Sequence, residues 1–356
     1  MPDRLLSLYL RNFRNYKEVE IVFSPEINFI QGDNAQGKTN LLEAIYLLST
    51  GRSFRTTHLS ELIYAGESFF YLQAHFIKDG LTQRLTLSFD GTVKKMEYNN
   101  TSYSHFTNLL GLLPTVLLAP EDSHLITGSP GERRRFLDIH LGQIDPLYVY
   151  HLNRYAKALK QRNCLLKQRK LDGIKSWEQI LLGASLYIHK KRSELIETLK
   201  EPTSQAMRWI SQDQDSIELT YMPSLAQDYE KLRAKELSLG LTLAGPHRDD
   251  MLILINNKDS KAFSSQGQKR CAVIALRLGE WAHFHQINDS PPLLSIDDFG
   301  VHLDDRRNDL LLSRLSHFGQ VFITSPYPIE QTAYFSIKIE SGNVRALNSP
   351  LDLFQN

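Results

Sequence analysis

Apolar and polar positions divide the chain into three stretches. Residues 5–10 and 19–23 read as short strands joined through a turn at 12–16, and 27–30 (Ile-Asn-Phe-Ile) as a short buried strand. Residues 32–37 form a loop, and 38–48 then carry Leu41, Leu42, Ile45 and Leu48 at helical spacing. Strand patterns return at 69–77 and 81–89, followed by a turn at Asp90-Gly91. From about 131 to 200 the period is helical and the composition rich in Leu, Lys, Arg and Gln. Leu152, Tyr155, Leu159 and Leu166 share one face, with Arg154, Lys157, Lys160 and Lys167 largely off it. This pattern is expected to run on to about Arg233. Residues 251–255 and 293–296 read as buried strands, 268–284 as a helix and 321–325 as one more strand. The sum is an α/β body, residues 1–123 and 236–356, interrupted by a mainly helical lobe over 124–235. No internal repeat, low-complexity tract or long heptad array is present.

Charge refines this picture. The 356 residues hold 41 Lys plus Arg against 40 Asp plus Glu, which excludes a uniformly basic nucleic-acid binder. Residues 151–200 alone hold 12 Lys plus Arg against 4 Asp plus Glu, so an anion-binding face is expected on the lobe. The two cysteines, Cys164 and Cys271, form no Cys-x-x-Cys pair, which argues against a zinc site or a disulfide framework and suits a reducing cytoplasm. No signal-peptide core follows Met1, and the longest apolar run, 109–120, is too short to span a membrane and contains Pro114. No membrane partner is expected.

Gly32-Asp33-Asn34-Ala35-Gln36-Gly37-Lys38-Thr39 fits G-x-x-x-x-G-K-[ST] between a strand and a helix. A polyphosphate can be satisfied by backbone N–H groups where side chains do not intervene, and Gly32 and Gly37 permit that approach. The helix that starts at Lys38 aims its free N–H groups and positive dipole end at the phosphates. Lys38 adds a full charge at the β/γ-phosphates, and the Thr39 hydroxyl is a hard oxygen ligand for Mg2+. ATP and Mg2+ are the expected cofactors.

An apolar strand ending in acids is expected beside such a loop, and Leu293-Leu294-Ser295-Ile296-Asp297-Asp298 supplies it. Asp297 is assigned to Mg2+, and Asp298 to polarising a water at the γ-phosphate, a catalytic role shared with Lys38. About 30 residues earlier, Ser264-Ser265-Gln266-Gly267-Gln268 opens a helix, which makes a second anion site. This order of motifs resembles the ABC ATPase superfamily. The resemblance implies a signature of Ser265, Gly267 and Gln268 that caps the γ-phosphate held by another copy. It also implies a D-loop containing Asp304 and a switch residue at Thr324.

Further stretches resemble the RecF family along nearly the whole chain. They are Leu10-Arg11-Asn12-Phe13-Arg14-Asn15-Tyr16, Gly51-Arg52-Ser53-Phe54-Arg55-Thr56, Pro120-Glu121-Asp122, Leu125-Ile126, Gly128-Ser129-Pro130, Arg133-Arg134, Phe136-Leu137-Asp138, Lys160-Gln161-Arg162-Asn163 and Gly245-Pro246-His247-Arg248-Asp249-Asp250. Val301 and His302 depart from the family's D-loop, and Ser295 interrupts its aliphatic strand. The Pro120-Glu121-Asp122 turn is expected where the superfamily has its Q-loop. The resemblance implies an ABC-type P-loop ATPase head with a mixed sheet and an inserted helical lobe, like SMC-type heads without their coiled coil. It implies a cytoplasmic, ATP-dependent DNA-binding protein of recombinational repair and replication. ATP would drive two heads together on single-stranded, gapped or junction DNA, with slow DNA-stimulated hydrolysis. RecO/RecR-type mediators would be partners in loading the recombinase, with a part in the SOS response.

Arg133, Arg134, Lys157, Lys160, Arg162 and Lys167 are the candidate DNA-phosphate contacts, with Arg169 and Lys170 beside them. Arg52 and Arg55 are expected to face nucleotide or DNA. His283 and His285 read as core or surface histidines rather than as a metal pair. Two other classes use the same phosphate loop: a metabolic phosphotransferase, which has no need of Ser265, and a nucleotide-switched docking protein without DNA contact.

Overall fold

The computed structural model describes residues 2–225, 229–300, 305–327 and 334–347. In chain order the strands and helices are β1 (Arg4–Phe13), β2 (Tyr16–Val22), β3 (Ile27–Gln31), α1 (Lys38–Thr50), β4 (Phe70–Lys78), β5 (Leu81–Phe89), β6 (Lys94–Tyr98), β7 (Thr101–Tyr103) and β8 (Thr115–Leu118). Next come α2 (His124–Thr127), α3 (Pro130–Ile144), α4 (Pro146–Lys167), α5 (Ile174–Ser211), β9 (Ile217–Met222), α6 (Tyr229–Leu239), β10 (Asp250–Ile255) and β11 (Lys258–Asp259). Last are α7 (Ser260–Phe263), α8 (Gln266–Ile287), β12 (Leu293–Ile296), α9 (Asp305–Ser313), β13 (Val321–Ser325), β14 (Phe335–Glu340) and β15 (Asn343–Ala346).

Two large sheets follow from two kinds of strand. β4 alternates buried and half-buried residues along most of its length, the mark of a sheet with one face on the core. It belongs to an antiparallel sheet in the order β2-β1-β4-β5-β6-β7. β12 and β13 are buried at every position and β3 at all but its last. These are the central strands of a sheet ordered β15-β14-β3-β13-β12-β8, parallel except at β15. α1 lies between the two sheets, which explains why 11 of its 13 residues are buried instead of one stripe.

α3, α4 and the 38-residue α5 form the lobe, and α5 packs along α8. Gly279 of α8 sits directly against Thr203 of α5; a methyl group there would strike the threonine, so glycine is what permits this crossing.

The helical expectation fails at β9. Ile217 and Leu219 are buried and Glu218 and Thr220 exposed, a period of two, and β9 pairs antiparallel with β10 in a small third sheet. β8, β14 and β15 are strands that the sequence did not mark. β8 falls inside the apolar run 109–120, where four residues before a turn give no period to read. The described residues contain no helix long and apolar enough to cross a membrane.

Candidate nucleotide-binding site

β3 ends at Gln31 and α1 begins at Lys38, so residues 32–37 cross the end of the parallel sheet where α1 presents its N-terminus. Gly32 has φ of 153° and Gly37 of 118°; a methyl group at Gly32 would strike the Ile339 carbonyl, and one at Gly37 the Asn15 side chain. Tyr16 donates from its hydroxyl to the Gly37 carbonyl at 2.8 Å. Lys38 Nζ donates to the carbonyls of Gly32 (2.6 Å) and Asp33 (2.8 Å), which folds the ammonium across the loop. Burial lowers the lysine pKa, and Asp298, Asp297 and Asp33 oppose that shift.

Asn34, Ala35, Gly37, Lys38, Thr39, Asn40, Arg55 and Asp298 line an open cavity of about 420 Å³. The Gln36 side chain is not among its walls; it points away, onto the β14–β15 turn.

The acids arrive from β12. Asp297 Oδ1 accepts from Thr39 Oγ1 at 3.0 Å and from Thr324 Oγ1 at 2.7 Å. Burial pushes the Asp297 carboxyl up to about 6; the Thr324 and Thr39 hydrogen bonds oppose this, and the charges of Asp298 and Glu121 add to it. Asp298 has φ of 51°, and its N–H donates to Thr324 Oγ1 at 2.8 Å. Thr324 is the residue that the superfamily resemblance assigns as the switch. Thr324 is fully buried, and its hydroxyl is spent holding both acids in place. Ser295 is buried in β12, and among the described residues its hydroxyl has no hydrogen-bond partner.

Ser265 is the N-cap of α8 in a capping box: its Oγ accepts from Gln268 N at 3.2 Å, and Gln268 Oε1 accepts from Ser265 N at 2.9 Å. Ser265 is exposed. Gln268 is committed inside its own chain, because Nε2 also donates to Asp215 Oδ1 at 2.7 Å. One of its two amide hydrogens is thereby taken up within the chain. Arg277 of the same helix pairs with Asp122, which pins the 120–123 turn after β8 to α8. Asp304, with Val301 and His302, lies outside the described residues.

The basic candidates separate into two groups. Lys157, Lys160 and Lys167 are exposed on α4. Arg162 is fully buried: it donates to Glu178 (2.9 and 3.1 Å), Glu236 (2.5 Å) and Thr242 (2.8 Å). Arg133 is buried and bidentate to Asp250. Arg134 is half-buried and donates to the Asp249 carbonyl at 2.7 Å. Arg162, held by buried carboxylates, and Arg133, itself buried and held by the half-buried Asp250, are thus structural cations. His283 is buried and hydrogen-bonded to His140 at 2.7 Å, as a core histidine.

Asn15 and Asn40 were not singled out from the sequence, whereas Arg55 was expected to face nucleotide or DNA and lines the cavity. Asn15 donates to the Gln36 carbonyl (2.7 Å), Asn40 to Asn15 (2.8 Å) and Arg55 to Asn40 (2.8 Å), a chain that runs from the 51–56 loop to the phosphate loop. Asn15 lay in a stretch quoted for its family likeness, without any sign of what it touches.

A strand–loop–helix phosphate site between two sheets, acids on the next strand but one, and an inserted helical lobe together define an ABC-type P-loop ATPase head. The family model described as RecF/RecN/SMC N terminal domain matches residues 4–329. DNA replication and repair protein RecF of Protochlamydia amoebophila is 44% identical over 338 residues, spanning 91% of this chain and 94% of that one. The protein of that name from Oceanobacillus iheyensis is 37% identical over 340 residues, spanning 89% and 92%. A solved structure of the recombination mediator protein RecF with ATP, in the RecFOR pathway, matches at TM-score 0.90 and 34% identity over 98% of each chain. The Smc head domain of Pyrococcus furiosus matches at TM-score 0.57 and 17% identity, which shows the shared fold. The chain belongs to the RecF family.

Proposed function

We propose that this chain is an ATP-dependent DNA-binding protein of recombinational repair and replication, in which ATP closes two copies on single-stranded or gapped DNA. The observation that carries this reading is the division of the site. The cavity at the phosphate loop has its phosphate-binding and acidic walls in place, while Ser265 and Gly267 stand outside that cavity, with Ser265 exposed at a helix N-terminus. Among the described residues nothing requires glycine at 267. A methyl group there would stand 3.5 Å from Arg307 Nη1, an ordinary contact. Glycine is a weaker helix former than alanine, by up to about 1 kcal/mol in a helix interior, and close approach by a second molecule accounts for its presence here.

Thr39 Oγ1 and Asp297 Oδ1 fit Mg2+. Adjacent ligands of an octahedral ion at about 2.1 Å stand roughly 3 Å apart, and these two oxygens are 3.0 Å apart. Bound there, the ion would neutralise charge that develops on the phosphates. Lys38 turns from the loop carbonyls to the β/γ-phosphates. Asp298, held by Thr324, orients a water for slow hydrolysis that reopens the pair. A signature of Ser265 and Gly267 meets the partner's nucleotide, and the D-loop containing Asp304 belongs to the pairing interface. RecO/RecR-type mediators, recombinase loading, the SOS response and a cytoplasmic setting complete the reading, which the family and the RecF–ATP structure support.

Sedimentation tests it. With ATP and a gapped duplex, a species with the mass of two protein copies plus the duplex is expected; protein that stays monomeric overturns the reading. The DNA arm is separable. Changing Lys157, Lys160 and Lys167 together to Gln is expected to lower DNA affinity and flatten its salt slope by roughly 2–3, with ATP binding unchanged.

A further inference from the structure

We propose that the β14–β15 turn, Ser341-Gly342, is a clamp that sets the conformation of the phosphate loop through Gln36, so that residues remote in sequence and outside the cavity lining control its affinity for nucleotide. This deepens the function proposed above and rests on it.

Four observations converge. First, Gln36 is the one residue of the 32–39 motif whose side chain turns onto another hairpin: Oε1 accepts from Ser341 N at 2.5 Å and Ser341 Oγ at 3.2 Å. Second, the Gln36 carbonyl is held from both sides, by Gly342 N at 3.2 Å and Asn15 Nδ2 at 2.7 Å. The loop therefore lies between two turns, one from each large sheet. Third, the hairpin touches the loop with backbone. A methyl group at Gly342 would fall on the Asn15 carbonyl oxygen, and one at Gly32 on the Ile339 carbonyl of β14. Fourth, Glu340 pairs with Asn343, leaving a two-residue turn with φ of 51° at Ser341 and 78° at Gly342. Positive φ at both positions is the type I′ turn, in which the first site favours Asn, Asp or Gly. Serine there carries local strain, and what it returns is a hydroxyl and an N–H on Gln36.

The consequence is mechanical. The loop's N–H groups bind phosphate only when several point into one space, and the clamp fixes the carbonyl that precedes Gly37. Loosening it costs affinity through the loop and leaves the cavity's own side chains in place. Lys38, Thr39 and Asp298 are unaltered, so Ser341 and Gly342 are positioning residues.

The experiment uses the full chain with a fluorescent ATP analogue, inorganic tripolyphosphate as competitor and ligand-free melting. Gln36→Leu and Gly342→Ala are each expected to weaken ATP roughly tenfold and tripolyphosphate by the same factor, since the clamp acts on the phosphate site alone. Ligand-free Tm should stay near the parent's for Gln36→Leu. Ser341→Val, which is disfavoured at positive φ, should behave like Gly342→Ala, and Ser341→Asn, which tolerates it, should restore tight binding. Parental affinity in both Gln36→Leu and Ser341→Val overturns the clamp, even if Gly342→Ala fails to fold. A loss for ATP without an equal loss for tripolyphosphate also overturns it. A parent chain that binds no ATP while Lys38→Ala is equally inert would instead defeat the site itself.

Discussion

Neither Lys38→Ala nor Ser265→Arg is expected to form an ATP-dependent pair alone, and an equimolar mixture of the two is expected to form one. The two variants fail for different reasons. Lys38 supplies the charged donor at the phosphates, and hydrogen bonds to charged groups contribute roughly 1.5–3 kcal/mol each, so its loss should weaken ATP binding by about 100-fold. Ser265 is exposed and does not line its own cavity. The Ser265→Arg variant should therefore bind ATP like the parent and fail only at association. The arginine loses the N-cap, about 1 kcal/mol of helix stability, and removes the hydroxyl that would meet the partner's nucleotide. In a mixed pair, one composite pocket combines the intact phosphate loop of the Ser265→Arg copy with the intact Ser265 of the Lys38→Ala copy. Sedimentation of the mixture with ATP should show a species of doubled mass that neither variant gives separately. If Ser265→Arg pairs like the parent, or the mixture stays monomeric, the shared-pocket reading fails. A metabolic phosphotransferase would be indifferent to Ser265 throughout.

The contrast between what the sequence reveals here and what it hides has a physical basis. The phosphate loop, its flanking strand and helix and the Asp297-Asp298 strand end are legible because each is local: a few adjacent residues carry both the chemistry and the geometry. Ser265 is legible for the same reason, as a cap followed three residues later by Gln268. The clamp is invisible because Gln36 and Ser341 stand 305 positions apart, and no spacing rule connects them. β9 is a different kind of miss. Its alternation of Ile217, Glu218, Leu219 and Thr220 is present but short, and it follows 38 residues of helix. Thr324 shows the limit of analogy, since a position inherited from a superfamily fixed where it lies and not which way its hydroxyl turns.

Arg162→Ala is expected to destabilise the protein by about 3–5 kcal/mol, with Tm falling on the order of 10 °C, and to leave the DNA affinity of the folded molecule unchanged. Helical spacing already carried the warning. Arg162 stands seven residues after Tyr155 and four before Leu166, both buried, so it lies on the inward face of α4, while Lys157, Lys160 and Lys167 lie outward. The magnitude follows from what removal strands. Glu178 keeps its bidentate partner Arg233. Among the described residues, Glu236, with no exposed surface, keeps only the Leu243 N–H at 2.8 Å. The guanidinium also lies 4.4 Å from the centroid of the Tyr229 ring, so alanine leaves a void as well as an uncompensated charge. Replacing the pair by apolar residues, Arg162→Met with Glu236→Leu, should recover much of the loss, because the desolvation cost disappears together with the attraction. Lys160→Ala, at an exposed position, should melt like the parent. Thermal melting and DNA titration at a temperature well below each midpoint separate the two roles. An Arg162→Ala protein that melts like the parent yet binds DNA weakly would return this side chain to the DNA surface.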